Sequence, residues 1–333
     1  MTPTTGECLL SVEGLKTYFF TKRGVVKAVD GVSFTVNEGE ALGIVGESGC
    51  GKSITCLSIL RLVPKPAGRI VAGKILFQGE DLLARKERHM RQWRGKMISM
   101  ILQDPLMSLN PVYTIGNQIS ESIRLDNHKA TRSTIRQKMT DVLRQVRISS
   151  AEQRLKDYPF QFSGGMRQRT VAAMAIVRHP RLIIADEPTT SLDVTIQDQF
   201  LRLLKEMQQE NNMGLILVTH DLGIVAESCD HVAVMYAGKI VEKGDVKRVY
   251  ESPVHPYTQA LMQSLPKLKS KKTKRLFQIE GEPPNLLHLP QGCSFWPRCS
   301  KAIDICRLEY PAITPMGCEG YATCWQLNKE NVQ

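Results

Sequence analysis

GESGCGKS, residues 46–53, stands between two apolar stretches, ALGIV (residues 41–45) and ITCLSILRLV (residues 54–63). The first reads as a short buried strand and the second as a helix. The pattern Gly46-x-x-x-x-Gly51-Lys52-Ser53 suits the loop between them. Glycines let such a loop wrap with its N–H groups pointing inward, which makes an anion nest at a helix N-terminus. From there Lys52 reaches the β- and γ-phosphates of a nucleotide, and the Ser53 hydroxyl holds Mg²⁺. Cys50 is the unusual member. It is either a small filler or a thiol that makes the loop sensitive to alkylation.

Reading outward, Leu9 to Val36 alternates apolar and polar residues and predicts two or three strands with a turn near Arg23-Gly24. Gly68 to Glu80 returns to strand-like alternation. From about Asp104 to Gln161 the pattern is helical, and TRSTIRQKMTDVLRQVRI is strongly amphipathic. RLIIADE and GLILVTH are near-continuous apolar strands, each followed by a helix, and HVAVMYAGKIVEKG reads as a hairpin. Alternating helices and apolar strands indicate an α/β fold with a parallel sheet covered on both faces.

The chain has 333 residues, 42% of them hydrophobic, and a formal net charge of +11. That length allows one large α/β domain plus a small appendage. The charge alone admits anionic ligands, an anionic membrane surface or nucleic acid as partners. No apolar run approaches the roughly 20 residues needed to span a bilayer. The start has neither a basic n-region nor an apolar h-region. The chain is therefore expected in the cytosol, joining a membrane only through a partner.

Two further motifs carry chemistry. Leu182-Ile183-Ile184-Ala185-Asp186-Glu187 is an apolar strand ending in two carboxylates. Asp186 is placed to bind Mg²⁺, and Glu187 to orient or deprotonate an attacking water. Phe162-Ser163-Gly164-Gly165-Met166-Arg167-Gln168-Arg169 joins a good N-cap, Ser163, to glycines that leave N–H groups bare for an anion.

Together these motifs resemble the nucleotide-binding subunits of ABC transporters, over roughly residues 8–265. FSGGMRQR is similar to their signature motif, and ILQDP, with Gln103, to the loop that senses Mg²⁺ and the membrane partner. Ser191-Leu192-Asp193 is similar to the D-loop, and Thr219-His220-Asp221 to the His switch. The resemblance implies a P-loop ATPase of ABC type: a parallel core sheet, an antiparallel β subdomain and a helical subdomain at about 104–165. Two such domains would pack head to tail around two ATPs, with Ser163, Gly164, Gly165 and Asp193 facing the nucleotide held by the other chain. Gly46, Ser48, Gly49, Cys50, Gly51, Lys52, Ser53 and Ile54 would hold the nucleotide. Phe19, with Tyr18 as the alternative, would stack on adenine, although both also suit a strand core. Ser53, Gln103 and Asp186 would serve Mg²⁺. Glu187 would be the base, and His220 would hold the γ-phosphate and water. The chemistry is phosphoryl transfer to water, dominated by positioning and electrostatics.

GESGCGKS, QDPLMSLNP, ADEPTTSLDVTIQ, VMYAGKIVEKG and above all SPVHPYTQAL (residues 252–261) resemble the oligopeptide, dipeptide and nickel importer branch. The resemblance implies a second, different ATPase subunit, two membrane permease subunits and an extracytoplasmic binding protein. It places the chain on the cytoplasmic face of the bacterial inner membrane. Residues 104–123 would receive the coupling helix of a membrane subunit. Peptide is the expected cargo, with nickel or another small solute as the alternative. A non-transport ATPase acting on nucleic acid is a remote third, because the chain holds one ABC unit and no long heptad insertion.

After Pro266 the pattern changes. Residues 266–280 read as a basic linker, and residues 281–333 are rich in Pro, Gly and Cys. Five of the nine cysteines crowd here, which in a reducing compartment reads as a metal or cluster site. The spacing C-x5-C-x6-C-x17-C leaves the metal open. The branch resemblance implies a C-terminal extension with a [4Fe–4S] cluster on Cys293, Cys299, Cys306 and Cys324. Cys318 is the alternative fourth ligand and zinc the alternative metal.

Overall fold

The computed structural model describes residues 7–126, 129–190, 192–264, 277–317 and 320–327. Its strands, in chain order, are β1 (Cys8–Thr21), β2 (Gly24–Asn37), β3 (Ala41–Val45), β4 (Gly68–Phe77), β5 (Glu80–Asp81), β6 (Ile98–Ile101), β7 (Leu182–Asp186), β8 (Gly214–Thr219), β9 (His231–Tyr236), β10 (Lys239–Asp245), β11 (Thr314–Met316) and β12 (Gly320–Ala322). The chain divides into two compact units. One comprises Met1–Leu9, Val36–Glu40 and Ala84–Val218; the other comprises Leu10–Thr35, Ala41–Leu83 and Thr219–Gln333.

In the first unit β6, β7 and β8 run parallel, with β7 central. Every residue of β7 and β8 is buried, as a strand covered on both faces requires. Each fully buried Leu, Ile or Val on these strands contributes about 1.5–3 kcal/mol relative to exposure. The helical region holds Ile115–Asp126, Arg132–Gln145 and Gly164–Ile176. Thr131 caps the second of these by accepting a hydrogen bond from the Thr134 N–H. The long helix Val194–Glu210 buries Phe200, Leu201, Leu203, Leu204 and Met207, a stripe at helical spacing.

The second unit holds an antiparallel sheet in the order β2-β1-β4-β5. β1 and β4 shift register between Glu13 and Thr17. Gly73 sits opposite that irregularity with φ +101°, and a Cβ there would lie 2.6 Å from the Leu15 Cα. Glycine is therefore required for the two backbones to approach. The same unit contains a second set of strands in the order β11-β12-β10-β9-β3. β3 pairs parallel with β9, and β9 returns antiparallel as β10. Ala237 and Gly238 both have positive φ, 48° and 82°, the combination a tight hairpin turn demands.

One difference from the sequence reading stands out. The helix after the loop ends at Ile59 rather than Val63. Arg61 takes a left-handed conformation, and Pro64 follows. The cysteine-rich segment pairs with a strand of the second unit. Its described residues belong to the second unit, and β12 adds to β10 through Glu242↔Ala322 and Lys243↔Tyr321. A stretch this poor in apolar residues gains its core from a neighbour: Phe295 is buried among Tyr236 and Tyr257, with ring centroids 5.2 and 5.3 Å away. Cys318 and most of the expected basic linker (residues 266–276) lie outside the described residues.

Candidate functional site

The loop 46–53 lies in the second unit, between β3 and the helix Lys52–Ile59. Its glycines are sterically required. A Cβ on Gly46 would lie 2.2 Å from the Met235 carbonyl oxygen, and one on Gly51 would lie 2.2 Å from that of Ala28. Both also have positive φ, 156° and 109°. The Gly238 N–H of the β9–β10 turn donates to the Cys50 carbonyl at 2.8 Å, and Gly238 accepts from the Asp30 N–H. The loop is thus held from behind by a turn nearly 190 residues on in sequence.

Lys52 is 4% exposed and curls back over the loop, donating to the Gly46 carbonyl at 2.8 Å and the Glu47 carbonyl at 3.1 Å. Its ammonium is therefore fixed on the loop's concave side. Cys50 is 5% exposed, and burial pushes its thiol up to about 11. Gly46 leaves room for its sulfur, since a Cβ there would lie 2.8 Å from the Cys50 Sγ. The structure favours the filler over the reactive thiol. Ser53 and Ile54 are half-buried on the first turn of the helix.

Upstream, the Tyr18 hydroxyl donates to Asp30 Oδ1 at 2.6 Å, so its polar end is committed. Phe19 is half-buried over Gly68, whose Cβ would lie 2.9 Å from the Phe19 ring. Phe20, which the sequence reading passed over, is the most exposed of the three, with the Arg69 guanidinium 5.4 Å from its ring centroid. Strand alternation from Tyr18 was the available signal.

In the first unit, Asp186 ends β7 and is buried, and Glu187 follows with φ 45°. A left-handed conformation is uncommon outside glycine, and held strain of this kind clusters at functional sites. The Glu187 N–H donates to the Val218 carbonyl at 2.9 Å, which fixes the turn. Gln103 Nε2 donates to Glu187 Oε2 at 3.2 Å, and the Thr190 hydroxyl lies 3.3 Å from the same oxygen. Gln103 and Glu187 are therefore brought together although 84 residues apart.

Ser163 is exposed and caps the helix Gly164–Ile176, accepting from the Met166 N–H at 3.3 Å. A Cβ on Gly165 would lie 2.7 Å from the Ile196 Cγ2. Gly165 therefore lets the helix Gly164–Ile176 approach the start of Val194–Glu210. Asp193 is the exposed N-cap of that second helix, accepting from the Ile196 N–H. Ser191 lies outside the described residues. In the second unit, His220 is exposed just after β8, and Asp221 caps the next helix by accepting from Gly223 and Ile224. Leu106, Met107, Val112 and Tyr113 are all exposed, Met107 to 84%.

Cys293, Cys299, Cys306 and Cys324 line one enclosed cavity with His255, Phe295, Trp296 and Trp325. Burial, reinforced by the neighbouring thiols, pushes Cys293 up to about 12 and Cys324 up to about 11, and it also raises Cys299. The expected metal site is not supported as a preformed one. Among the described residues no group of three or more His, Cys, Asp or Glu could hold a metal ion.

Comparison with known proteins agrees with the geometry. The ABC transporter family matches residues 29–190, and the oligopeptide/dipeptide transporter C-terminal region matches residues 241–306. A probable peptide ABC transporter ATP-binding protein of Sinorhizobium fredii is 47% identical, covering 97% of this chain and 96% of its own. The dipeptide transport ATP-binding proteins of Bacillus subtilis and Escherichia coli are 46% and 48% identical. They cover 96% and 92% of this chain and 95% and 92% of their own lengths. A dimeric ATP-binding cassette bound to ADP and Pi has the same fold, with a TM-score of 0.64 at 21% identity over 72% of this chain and 99% of that one. With these relatives matched over almost its whole length, the chain belongs to the ATP-binding proteins of ABC transporters, in the branch that carries the oligopeptide/dipeptide transporter C-terminal region.

Proposed function

We propose that this chain is the subunit that hydrolyses ATP to energise an importer of di- and oligopeptides. The observation that carries the reading is 45–48% identity to peptide and dipeptide transport ATP-binding proteins over most of the chain. The glycine-walled loop with its tethered Lys52 supplies the phosphate site expected of such a protein.

In this reading Gly46, Ser48, Gly49, Cys50, Gly51, Lys52, Ser53 and Ile54 hold the phosphates. Ser53, Gln103 and Asp186 serve Mg²⁺. A hydroxyl, an amide oxygen and a carboxylate are the hard oxygen donors that Mg²⁺ takes, and the Gln103 contact to Glu187 uses its nitrogen and leaves its oxygen. Glu187 orients and deprotonates the water, and His220 holds the γ-phosphate. Ser163, Gly164, Gly165 and Asp193, all at exposed or half-exposed helix starts, face the nucleotide of a second ATPase subunit. Phe19 stacks on adenine; ATP affinity falling in Phe20→Ala but not in Phe19→Ala would move that role one residue on.

The partners are a different ATPase subunit, two permease subunits and, indirectly, an extracytoplasmic peptide-binding protein; nucleic acid has no part. No described helix is long and apolar enough to cross a membrane. Exposed Leu106, Met107, Val112 and Tyr113 supply an apolar surface for a permease on the cytoplasmic face of the inner membrane.

The four C-terminal thiols suit a [4Fe–4S] cluster better than zinc. A single zinc ion, which takes four ligands at about 2.0–2.3 Å from one centre, is the alternative. An iron–sulfur cluster is held by four thiolates spread around it, and four thiols on one cavity are the donor set it requires. Its place would be structural. Iron and sulfide assays on the chain, with Cys306→Ser as comparison, test this: zinc at one equivalent, or no metal at all, would refute it.

Uptake of labelled di- and oligopeptides by cells lacking the chain tests the function, with wild type restoring uptake. Uptake independent of the chain would rule out peptide as the cargo.

A further inference from the structure

The turn between Cys293 and Cys299 carries Trp296–Arg298, and Arg298 reaches the phosphate loop. Its Nη1 lies 2.6 Å from Glu47 Oε2 and its Nη2 lies 2.9 Å from Glu47 Oε1, a two-point fork across 251 residues of sequence. The Arg298 side chain is 5% exposed and the Glu47 side chain 25%. Three further contacts fix the pair. Arg298 Nε donates to the Glu280 carbonyl at 3.0 Å, Arg298 Nη1 donates to the Tyr236 hydroxyl at 3.3 Å, and the Glu47 N–H donates to the Tyr257 hydroxyl at 3.0 Å. The Glu47 carboxylate holds the guanidinium above its usual range. Pro283, Pro284 and Leu286, from the same C-terminal segment, line one pocket with Glu47, Ser48, Gly49 and Cys50.

Glu47 is the first variable position of the loop, and its carbonyl accepts from both Lys52 and the Cys50 N–H. A carboxylate here is an awkward neighbour for a triphosphate, because two like charges repel strongly when partly buried. A bidentate, buried arginine is the group suited to neutralising it and fixing its direction.

We propose that Arg298 is a positioning residue for ATP binding: through Glu47 it sets the shape and charge of the phosphate loop, so that the cysteine-rich segment acts as a clamp on the nucleotide site. This rests on the reading of residues 46–53 as the nucleotide loop. The clamp need not enter the chemical step. Its loss therefore weakens ATP binding and leaves the turnover of bound ATP nearly unchanged.

The test is ATP hydrolysis by the assembled transporter in membrane vesicles, comparing wild type, Arg298→Lys, Arg298→Gln, Glu47→Gln and the double variant Arg298→Gln/Glu47→Gln. Charge-assisted bidentate hydrogen bonds of this kind make the expected rise in the ATP KM of Arg298→Gln about tenfold, with kcat within about twofold. Arg298→Lys keeps the charge but loses the fork, and falls between. The double variant binds ATP at least as well as Arg298→Gln alone, because no unpaired carboxylate remains. An unchanged KM in Arg298→Gln, or single effects that multiply in the double variant, overturns the proposal: Arg298 would then only staple the segment. Labelled-ATP binding by Lys52→Ala separates the two levels, because wild-type binding there refutes the loop itself, whatever Arg298 does.

Discussion

Gln103 Nε2 donates to Glu187 Oε2 at 3.2 Å, so the carboxylate that ends the β7 motif is aimed by a side chain from the loop after β6. Glu187 reaches that position in a left-handed conformation, φ 45°, with its N–H tied to the Val218 carbonyl. If Gln103 aims the base, Gln103→Ala lowers kcat beyond any weakening of ATP binding that follows from its proposed service to Mg²⁺. A hydrogen bond to a charged group contributes about 1.5–3 kcal/mol, so the loss is about 10–100-fold. Steady-state ATPase kinetics of the assembled transporter check this; an unaltered kcat contradicts it.

The loop glycines are not equivalent. Gly51→Ala puts a methyl group 2.2 Å from the Ala28 carbonyl oxygen at φ 109°, whereas a Cβ on Gly49, at φ 78°, meets nothing within 4 Å. Gly49→Ala therefore carries only the left-handed penalty, about 1–2 kcal/mol, and retains ATP binding. Gly51→Ala distorts the loop and abolishes binding. Equilibrium binding of labelled ATP separates the two; equal effects would contradict the packing account.

The buried Cys50 thiol, raised to about 11, stays protonated at neutral pH. Alkylation requires the thiolate, so Cys50 reacts slowly with iodoacetamide at pH 7 and faster as pH rises toward that value. Exposed Cys8 supplies the internal comparison. Peptide mapping that finds Cys50 labelled as fast as Cys8 at neutral pH would contradict its burial.

Phe295 is the apolar anchor of the C-terminal segment, against Tyr236 and Tyr257. Phe295→Ala removes a fully buried ring and destabilises by about 3–5 kcal/mol. Limited proteolysis is the readout, with early cleavage after residue 277 expected. Wild-type resistance would mean that the segment is held by other contacts.

Much of this was legible in the sequence because the relevant constraints are local. The loop 46–53, the apolar run of β7 ending in Asp186 and Glu187, and the Ser163 cap each announce themselves within a few residues. β3, β7 and β8 follow apolar runs that admit little else. Short β6, with only Ile98–Ile101, carried too few residues for a pattern to emerge. β11 and β12, three residues each, form because β10 offers an edge to β12 and β12 in turn offers one to β11, not because of their own propensity. The Arg298–Glu47 fork was unreadable for the same reason: neither residue has a neighbour in sequence that marks it. The thiols were readable as a set, but not their surroundings, because the burial that raises Cys293 comes from β9, β10 and the helix Pro256–Ser264 packed around Phe295.

The most direct test of the central claim is peptide uptake in cells lacking this chain, complemented with wild type or with Glu187→Gln. The account predicts that wild type restores uptake of labelled di- and oligopeptides. Glu187→Gln still binds ATP but loses turnover by about 10²–10⁴-fold, and with it uptake. Uptake at the wild-type level with Glu187→Gln would contradict the assignment of the base, and uptake indifferent to the chain would contradict peptide transport itself.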